Sequence, residues 1–148
     1  MSALSWCEFR IVFVFGNLND QHMQVMCTWS DQTQVIEPND RGFGILTTSI
    51  TLPTKLHLIF SGKNMQVDSV IDAQGQLLAD KFVLIKRMSL DGHEVDKNFL
   101  EKHLALQVAD SDQIVQSNYV GFNGAMTIDL DRDNVFLQVQ KMNRIGRK

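Results

Sequence analysis

The stretch that decides the fold is LHLIFSGKNMQVDSVIDAQGQLLADKFVLIKRMSLDGHEV, from Leu56 to Val95. Its first run places an apolar residue at every second position, which is the period of a strand with one buried face. The run Phe82–Ile85 is apolar throughout, as is typical of a strand buried on both faces. Asp72–Gly75 and Asp91-Gly92 supply the turn chemistry between the runs. The stretch therefore predicts antiparallel strands in a meander at the centre of a β-sheet.

Alternation with a period of two recurs on both sides of this stretch. Phe9–Phe15 and Val25–Trp29 both alternate, and the loop Gly16–Asp20 between them predicts that these two strands form a hairpin. Asp96 is a suitable N-cap for one or two helical turns that end at Leu104. The same patterns predict the remaining strands, which are Gln34–Ile36, Leu46–Leu52, Leu104–Val108, Ile114–Tyr119 and Met126–Leu130.

About eight or nine strands separated by turns predict an all-β fold. We expect a two-sheet antiparallel β-sandwich, jelly-roll-like, with one or two short helices, and a closed barrel is the alternative. The chain has 148 residues without an internal repeat or a linker, so residues 1–148 are expected to form one domain. The tail from Asn134 to Arg144 fits a strand as well as a short helix, and we favour the helix.

Charge and cysteine content limit the class of protein. The formal net charge of −3 argues against binding to a nucleic-acid backbone. The N-terminus lacks the basic and apolar regions of a signal peptide or a membrane span, so a cytoplasmic location is expected. Cys7 and Cys27 form no ligand cluster with each other or with histidine, which argues against structural zinc. Two reduced, buried thiols are favoured over a disulfide.

The densest acidic cluster is a candidate metal site. Asp129, Asp131 and Asp133 alternate along the chain, so an extended backbone would place their carboxylates on one side. Calcium takes six to eight oxygen ligands, and the spacing begins like the loop of an EF-hand. Asn134 then stands at the glycine position and Gln140 at the position of the bidentate glutamate. Calcium is therefore weighed against a solvated strand end followed by a helix cap.

Three residues, Trp6, Trp29 and Tyr119, combine a flat apolar face with a polar group. Exposed rings of this kind bind sugar faces or proline-rich peptides. Trp29 is in register with Val25 and Cys27, so a core position is its alternative role. Tyr119 is the better ligand candidate, since Asn118 and Asn123 beside it carry side-chain amides that can bind a polar ligand.

No catalytic motif is present, whether a nucleophile elbow, a phosphate-binding loop or a dinucleotide fingerprint. The histidines at 22, 57, 93 and 103 lack the spacing of a metal pair. An enzyme would need two carboxylates that converge in space, as glycosidases do. The candidates for such a pair are Asp68, Asp72, Asp91, Asp129 and Asp131.

Several short motifs occur in a familiar order: Phe60–Lys63, Asp80-Lys81, Leu90–Gly92 and Tyr119–Gly124. Over residues 54–140 the chain resembles β-sandwich domains of the carbohydrate-binding type. The resemblance implies a non-catalytic module that recognises a glycan, or another small polar ligand, through loops at one end of the sandwich. Loops on a rigid scaffold commonly carry recognition.

An alternative function is structural. The strand Phe9–Phe15 has few charges that would block pairing, so an uncovered edge there would invite another copy of the chain. This pattern predicts a homo-oligomer held together through exposed sheet edges.

Overall fold

The computed structural model describes residues 5–18, 21–64, 69–71, 73–74 and 77–130 of the chain. It confirms the all-β, two-sheet antiparallel sandwich. The tail from Asn134 to Arg144 lies outside the described residues. The strands and the helix, in chain order, are β1 Ser5–Gly16, β2 Gln24–Trp29, β3 Gln32–Ile36, β4 Phe43–Leu52, β5 Thr54–Ser61, β6 Ser69–Ile71, β7 Leu77–Asp80, β8 Phe82–Leu90, β9 His93–Glu94, α1 Lys97–His103, β10 Ala105–Val108, β11 Ile114–Gln116, β12 Tyr119–Val120 and β13 Gly124–Leu130.

The strands form two main sheets. The five-stranded sheet has the order β12-β8-β1-β4, with β9 also paired to β8. The six-stranded sheet has the order β11-β10-β13-β5-β2-β3. A separate two-stranded ribbon consists of β6 and β7. All the pairings in the described part of the chain are antiparallel.

The core lies between the two main sheets. Along β1 the odd-numbered residues Phe9, Ile11 and Phe13 are almost fully buried, while Glu8 and Arg10 are exposed on the outer face. In β13 every second residue from Gly124 to Leu130 is buried in the same way. Burying one apolar face of each sheet removes it from water, which is the main favourable term in folding. The alternation in the sequence therefore predicted correctly which side chains form the core.

The hairpin and the helix expected after β8 are confirmed. Leu90 pairs with His93, and the two turn residues Asp91 and Gly92 have φ angles of 50° and 79°. Two positive φ angles are the signature of the tight turn that Asp-Gly favours. The side chain of Asp96 accepts a hydrogen bond of 3.1 Å from the Asn98 N–H and caps α1.

The predicted central meander is wrong, because the stretch from Leu56 to Val95 is divided between sheets. β5 is an inner strand of the six-stranded sheet, and β8 lies in the five-stranded sheet. Between them, β6 and β7 pair only with each other within the described chain. Turn residues show where the chain reverses, but both sheets bury an apolar face against the same core. The sequence pattern alone therefore does not show to which sheet a strand belongs.

Two further strand predictions are corrected for the same reason. β1 and β2 do not form a hairpin, since β1 pairs with β4 and β8 while β2 pairs with β3 and β5. The predicted strand Ile114–Tyr119 is divided between β11 in the six-stranded sheet and β12 in the five-stranded sheet. Phe9–Phe15 lies inside its sheet, with a neighbouring strand on each side, so the sheet edge expected there does not exist.

A β-bulge interrupts β8 at Lys86 and Arg87. Val12 of β1 lies opposite Arg87 and Phe13 lies opposite Ile85, so β8 contains one extra residue. Ile85 and Met88 on either side of the bulge are buried, whereas Lys86 and Arg87 are both exposed. The expectation that Phe82–Ile85 is buried on both faces is also corrected, because Phe82 and Leu84 are only half-buried.

No helix in the described ranges is long and apolar enough to cross a membrane.

Candidate functional site

The amides expected to bind a ligand near Tyr119 already bond to the backbone. The Asn123 side chain accepts a hydrogen bond of 2.9 Å from the Lys63 N–H and donates one of 2.8 Å to the Lys63 carbonyl. The Asn118 amide donates a hydrogen bond of 3.0 Å to the Ile85 carbonyl. The Asn123 bonds join two loops, and the Asn118 bond joins a loop to β8, so amides that were expected to bind a ligand also hold the fold together.

Beside Asn123 lies a group that we call the polar cluster, formed by Lys63, Asp80, Lys81 and Tyr119. The Lys63 Nζ lies 2.5 Å from an Asp80 carboxylate oxygen, and these side chains are only 2% and 7% exposed. The Tyr119 hydroxyl donates to the other oxygen of Asp80. The Lys81 Nζ donates a hydrogen bond of 2.6 Å to the Gly62 carbonyl. A buried charge persists when it is paired in this way, so the cluster fastens three segments together.

The chemistry of Tyr119 reflects this cluster. Burial, the hydrogen bond to Asp80 and the negative charge of that carboxylate raise the pKa of the Tyr119 hydroxyl above its ordinary value. The Tyr119 ring stacks on Phe82 with a centroid distance of 4.7 Å. The Phe82 ring in turn lies over Gly16, where an added Cβ would come within 2.0 Å of a ring carbon. One face of Tyr119 and its hydroxyl are therefore used in packing, and 37% of the residue is exposed.

Of the three candidate calcium ligands, the structure describes Asp129. Asp129 is exposed on β13, with its carboxylate 3.9 Å from the Lys55 Nζ. Asp131 and Asp133 lie outside the described residues. Among the residues that the structure does describe, no group of three His, Cys, Asp or Glu side chains could hold a metal ion. Calcium binding by the three aspartates stays a prediction.

The carboxylates proposed for an enzyme do not converge where they are described. The Asp91 side chain accepts a hydrogen bond of 2.8 Å from the Glu8 N–H in the five-stranded sheet. Asp129 lies in the six-stranded sheet, and Asp68, Asp72 and Asp131 fall outside the described residues. Both cysteines are buried thiols without a disulfide, and burial raises the pKa of Cys27 to about 12.

The two tryptophans occupy opposite environments. Trp29 is 7% exposed and belongs to the core. This is the alternative role that its register with Val25 and Cys27 predicted. Trp6 is 71% exposed. Trp6 shares its parity in β1 with the exposed residues Glu8 and Arg10, so the alternation that identified the core also carried the signal that Trp6 faces outward.

Trp6 and Trp29 both line a cleft of about 320 Å³, which we call the Trp6 cleft. It lies where the outer strand β4 faces the turn between β2 and β3. Trp6 in β1 pairs with Thr51 in β4, and Thr51 also lines the cleft, so this pairing places Trp6 at the cleft. The other lining residues are uncharged, and they are Ser30, Gln32, Ser49, Ile50, Thr51, Pro53 and Thr54. The cleft thus combines an exposed indole with hydroxyl and amide groups, which suits an uncharged polar ligand.

A second groove lies over the bulge on the outer face of the five-stranded sheet. It measures about 310 Å³ and has Val12, Phe43 and Ile45 among its lining residues. Its charged lining residues contact neighbouring side chains: Lys86 lies over the Phe43 ring at 5.2 Å, and Arg87 lies 3.6 Å from Glu94. These contacts compete with a ligand, so the Trp6 cleft is the stronger candidate site.

Comparison with known proteins finds no family model, no curated protein and no solved structure that matches this chain.

Proposed function

We propose that this protein is a non-catalytic binding module for neutral glycans and that the Trp6 cleft is its binding site. The observation that carries the proposal is the exposure of Trp6, 71%, beside a cleft whose described lining side chains are all uncharged. A large exposed aromatic ring on a regular strand has no role in the core. Beside an open cleft, such a ring is available to stack on a ligand.

The chemistry of a sugar matches the two kinds of surface in the cleft. The C–H groups of a pyranose ring form an apolar face that packs on an indole ring. Its hydroxyls both donate and accept hydrogen bonds, as do the hydroxyls of Ser49 and Thr51 and the amide of Gln32. A volume of about 320 Å³ is at the lower end for ligand sites, so we expect the cleft to hold a short segment of a glycan.

The proposal keeps the predicted ligand class but places its site elsewhere. Recognition was expected in the loops around Tyr119, whereas the polar groups of Asn118 and Asn123 already bond to the backbone. A ligand that displaced these bonds would leave the backbone groups of Lys63 and Ile85 unpaired, which costs free energy. Trp29 keeps its predicted contact with the ligand as a lining residue of the cleft.

The experiment is an array of neutral oligosaccharides followed by titration calorimetry of any binder with the wild type and with Trp6→Ala. We expect Trp6→Ala to weaken the affinity at least tenfold, because stacking on the ring is lost. The matched control is Ile114→Ala, which removes another exposed apolar side chain (61% exposed) on the six-stranded sheet. The control should leave the affinity unchanged.

Two results would contradict the proposal. One is a set of oligosaccharides that bind Trp6→Ala as tightly as the wild type, since the site would then lie elsewhere. The other is the absence of any binder among neutral oligosaccharides that cover the common sugar types.

A further inference from the structure

Within the described part of the chain, the outer strand β4 of the five-stranded sheet pairs with another strand on one side only. The Phe15 N–H donates a hydrogen bond of 2.8 Å to the Gly42 carbonyl, immediately before β4. In an antiparallel pair the hydrogen-bonded positions alternate, so the even-numbered residues of β4 bond to β1. The odd-numbered residues of β4 therefore direct their N–H and C=O groups away from β1.

Among the described residues, four consecutive odd positions of β4 have no backbone partner on their outer side. Phe43 is the first odd residue. Its N–H donates a hydrogen bond of 3.0 Å to the Asn39 side chain, and its carbonyl accepts one of 2.8 Å from the Asn39 N–H. Within the described ranges no backbone hydrogen bond reaches the outward groups of the positions that follow, Ile45, Thr47, Ser49 and Thr51. A row of unpaired donors and acceptors of this kind is a template for another strand.

β4 also lacks the features that usually protect a sheet edge. Charged residues, proline and a bulge blunt most edges, and many edge strands are short. β4 is ten residues long, and its sequence FGILTTSITL contains neither a charge nor a proline. The outer strands β3, β11 and β12 are shorter than β4, since they have five, three and two residues.

We propose that β4 pairs with β4 of a second copy of this chain, antiparallel about a two-fold axis at Thr48. In this register Ile45 lies opposite Thr51 of the second copy, and Thr47 lies opposite Ser49. These are hydrogen-bonded positions, so all four outward residues of each strand are satisfied at once. The five-stranded sheets of the two copies then form one continuous sheet.

The chemistry of the edge favours a second copy over another partner. A two-fold interface needs a surface that is complementary to itself. The residues at positions 45, 47, 49 and 51 are Ile, Thr, Ser and Thr. Every pair that they form across the axis therefore joins two uncharged residues. In this register Ile45 of one copy lies next to Thr51 of the other, and Thr51 lies next to Trp6, so the exposed side chains of Ile45 (44%) and Trp6 (71%) share the outer face of the joined sheet.

The first test is sedimentation of the full chain over a wide range of concentrations. We expect a dimer that dissociates on dilution. Thr47→Lys combined with Ser49→Lys places lysines opposite each other across the axis and should give a monomer at every concentration. The matched control is Ala125→Lys combined with Thr127→Lys, which adds the same charge at exposed positions of the central strand β13 and should remain a dimer.

The second test reads the register. Thr48 faces itself across the axis in a non-hydrogen-bonded pair, where the Cα atoms are about 4.5 Å apart, within the range of a disulfide. Thr48→Cys should therefore form a disulfide-linked dimer under mild oxidation, whereas Ala125→Cys should not. The native Cys7 and Cys27 are 2% and 0% exposed, so they do not interfere.

A wild-type chain that stays monomeric at all concentrations overturns the inference. So does a dimer that survives the paired lysines of Thr47→Lys and Ser49→Lys. Neither result decides the glycan proposal, which is tested by ligand titration of the wild type and Trp6→Ala.

Discussion

The polar cluster and the Trp6 cleft lie at opposite ends of β1 and use their polar groups in different ways. At the Gly16 end, Asp80 and Asn123 bond to other parts of the chain, and the described side chains leave no buried polar atom unsatisfied. At the Trp6 end, hydroxyls and an amide line an open cleft. The comparison teaches that a polar, Asn-rich loop is as suited to fastening a sandwich as to binding a ligand.

The largest effect should come from breaking the ion pair in the polar cluster. Asp80→Ala leaves the Lys63 ammonium buried without its partner, and such a loss costs about 3–5 kcal/mol. Urea denaturation would measure it as a fall in the free energy of unfolding. The control Asp129→Ala removes an exposed partner of Lys55 and should cost at most about 1 kcal/mol. Equal effects of the two variants would contradict the structural role of the cluster.

The second prediction compares two side-chain amides, one from each region. Asn123→Ala removes both hydrogen bonds to the Lys63 backbone and should destabilise the fold by about 2 kcal/mol. Gln32→Ala in the Trp6 cleft should change stability by less than about 0.5 kcal/mol, because Gln32 is exposed. Chemical denaturation of both variants checks the difference. If Gln32→Ala were the more destabilising, the contrast between the two regions would be wrong.

The third prediction concerns the pH dependence of stability. Tyrosine in an unfolded chain has a pKa of about 10, and the pKa of Tyr119 in the folded chain is higher. Below about pH 10 the hydroxyl is protonated in both states, so Tyr119 contributes its full stability. Above that pH the unfolded chain loses the proton first, and the stability falls as the pH rises.

Tyr119→Phe isolates this effect from the other groups that titrate at high pH. Between about pH 8 and pH 11 the urea midpoint of the wild type should fall more steeply than that of Tyr119→Phe. Parallel curves for the two proteins would show that Tyr119 keeps its ordinary pKa in the folded chain.

The smallest effect should link the Trp6 cleft to the edge of β4. Ser49, Ile50 and Thr51 belong to both, so a second copy paired at β4 would cover the open side of the cleft. If both proposals hold, a bound oligosaccharide should weaken the dimer a few-fold, measured by sedimentation with and without ligand. A dimer of unchanged affinity would show that the two surfaces are used independently.

Local features of the fold could be predicted from the sequence because they depend on neighbouring residues. The alternation from Phe9 to Phe15 predicts which side chains are buried, Asp91-Gly92 predicts the hairpin, and Asp96 predicts the helix cap. The pairing of strands is a different matter. β1 and β2 are adjacent in sequence and have similar patterns, yet they face each other across the core, and nothing in either strand specifies its partners.

The candidate site was less predictable for a related reason. The ion pair between Lys63 and Asp80 depends on a loop and the end of β7, which the tertiary fold brings together, and neither residue differs in sequence from an ordinary surface charge. Tyr119 was favoured as a ligand residue because its neighbours are polar, but the fold uses those neighbours as structural bonds. Trp6 was predictable in principle from its parity in β1.

The bulge at Lys86 and Arg87 determines which changes of length β8 can accept. Before the bulge odd-numbered residues such as Ile85 face the core, and after it even-numbered residues such as Met88 do so. Removing one residue at the bulge would leave both halves of the strand in phase with the core. Removing one residue elsewhere in β8 would turn part of its buried set toward water. Among relatives of this chain, single-residue deletions in β8 should therefore be confined to these two positions.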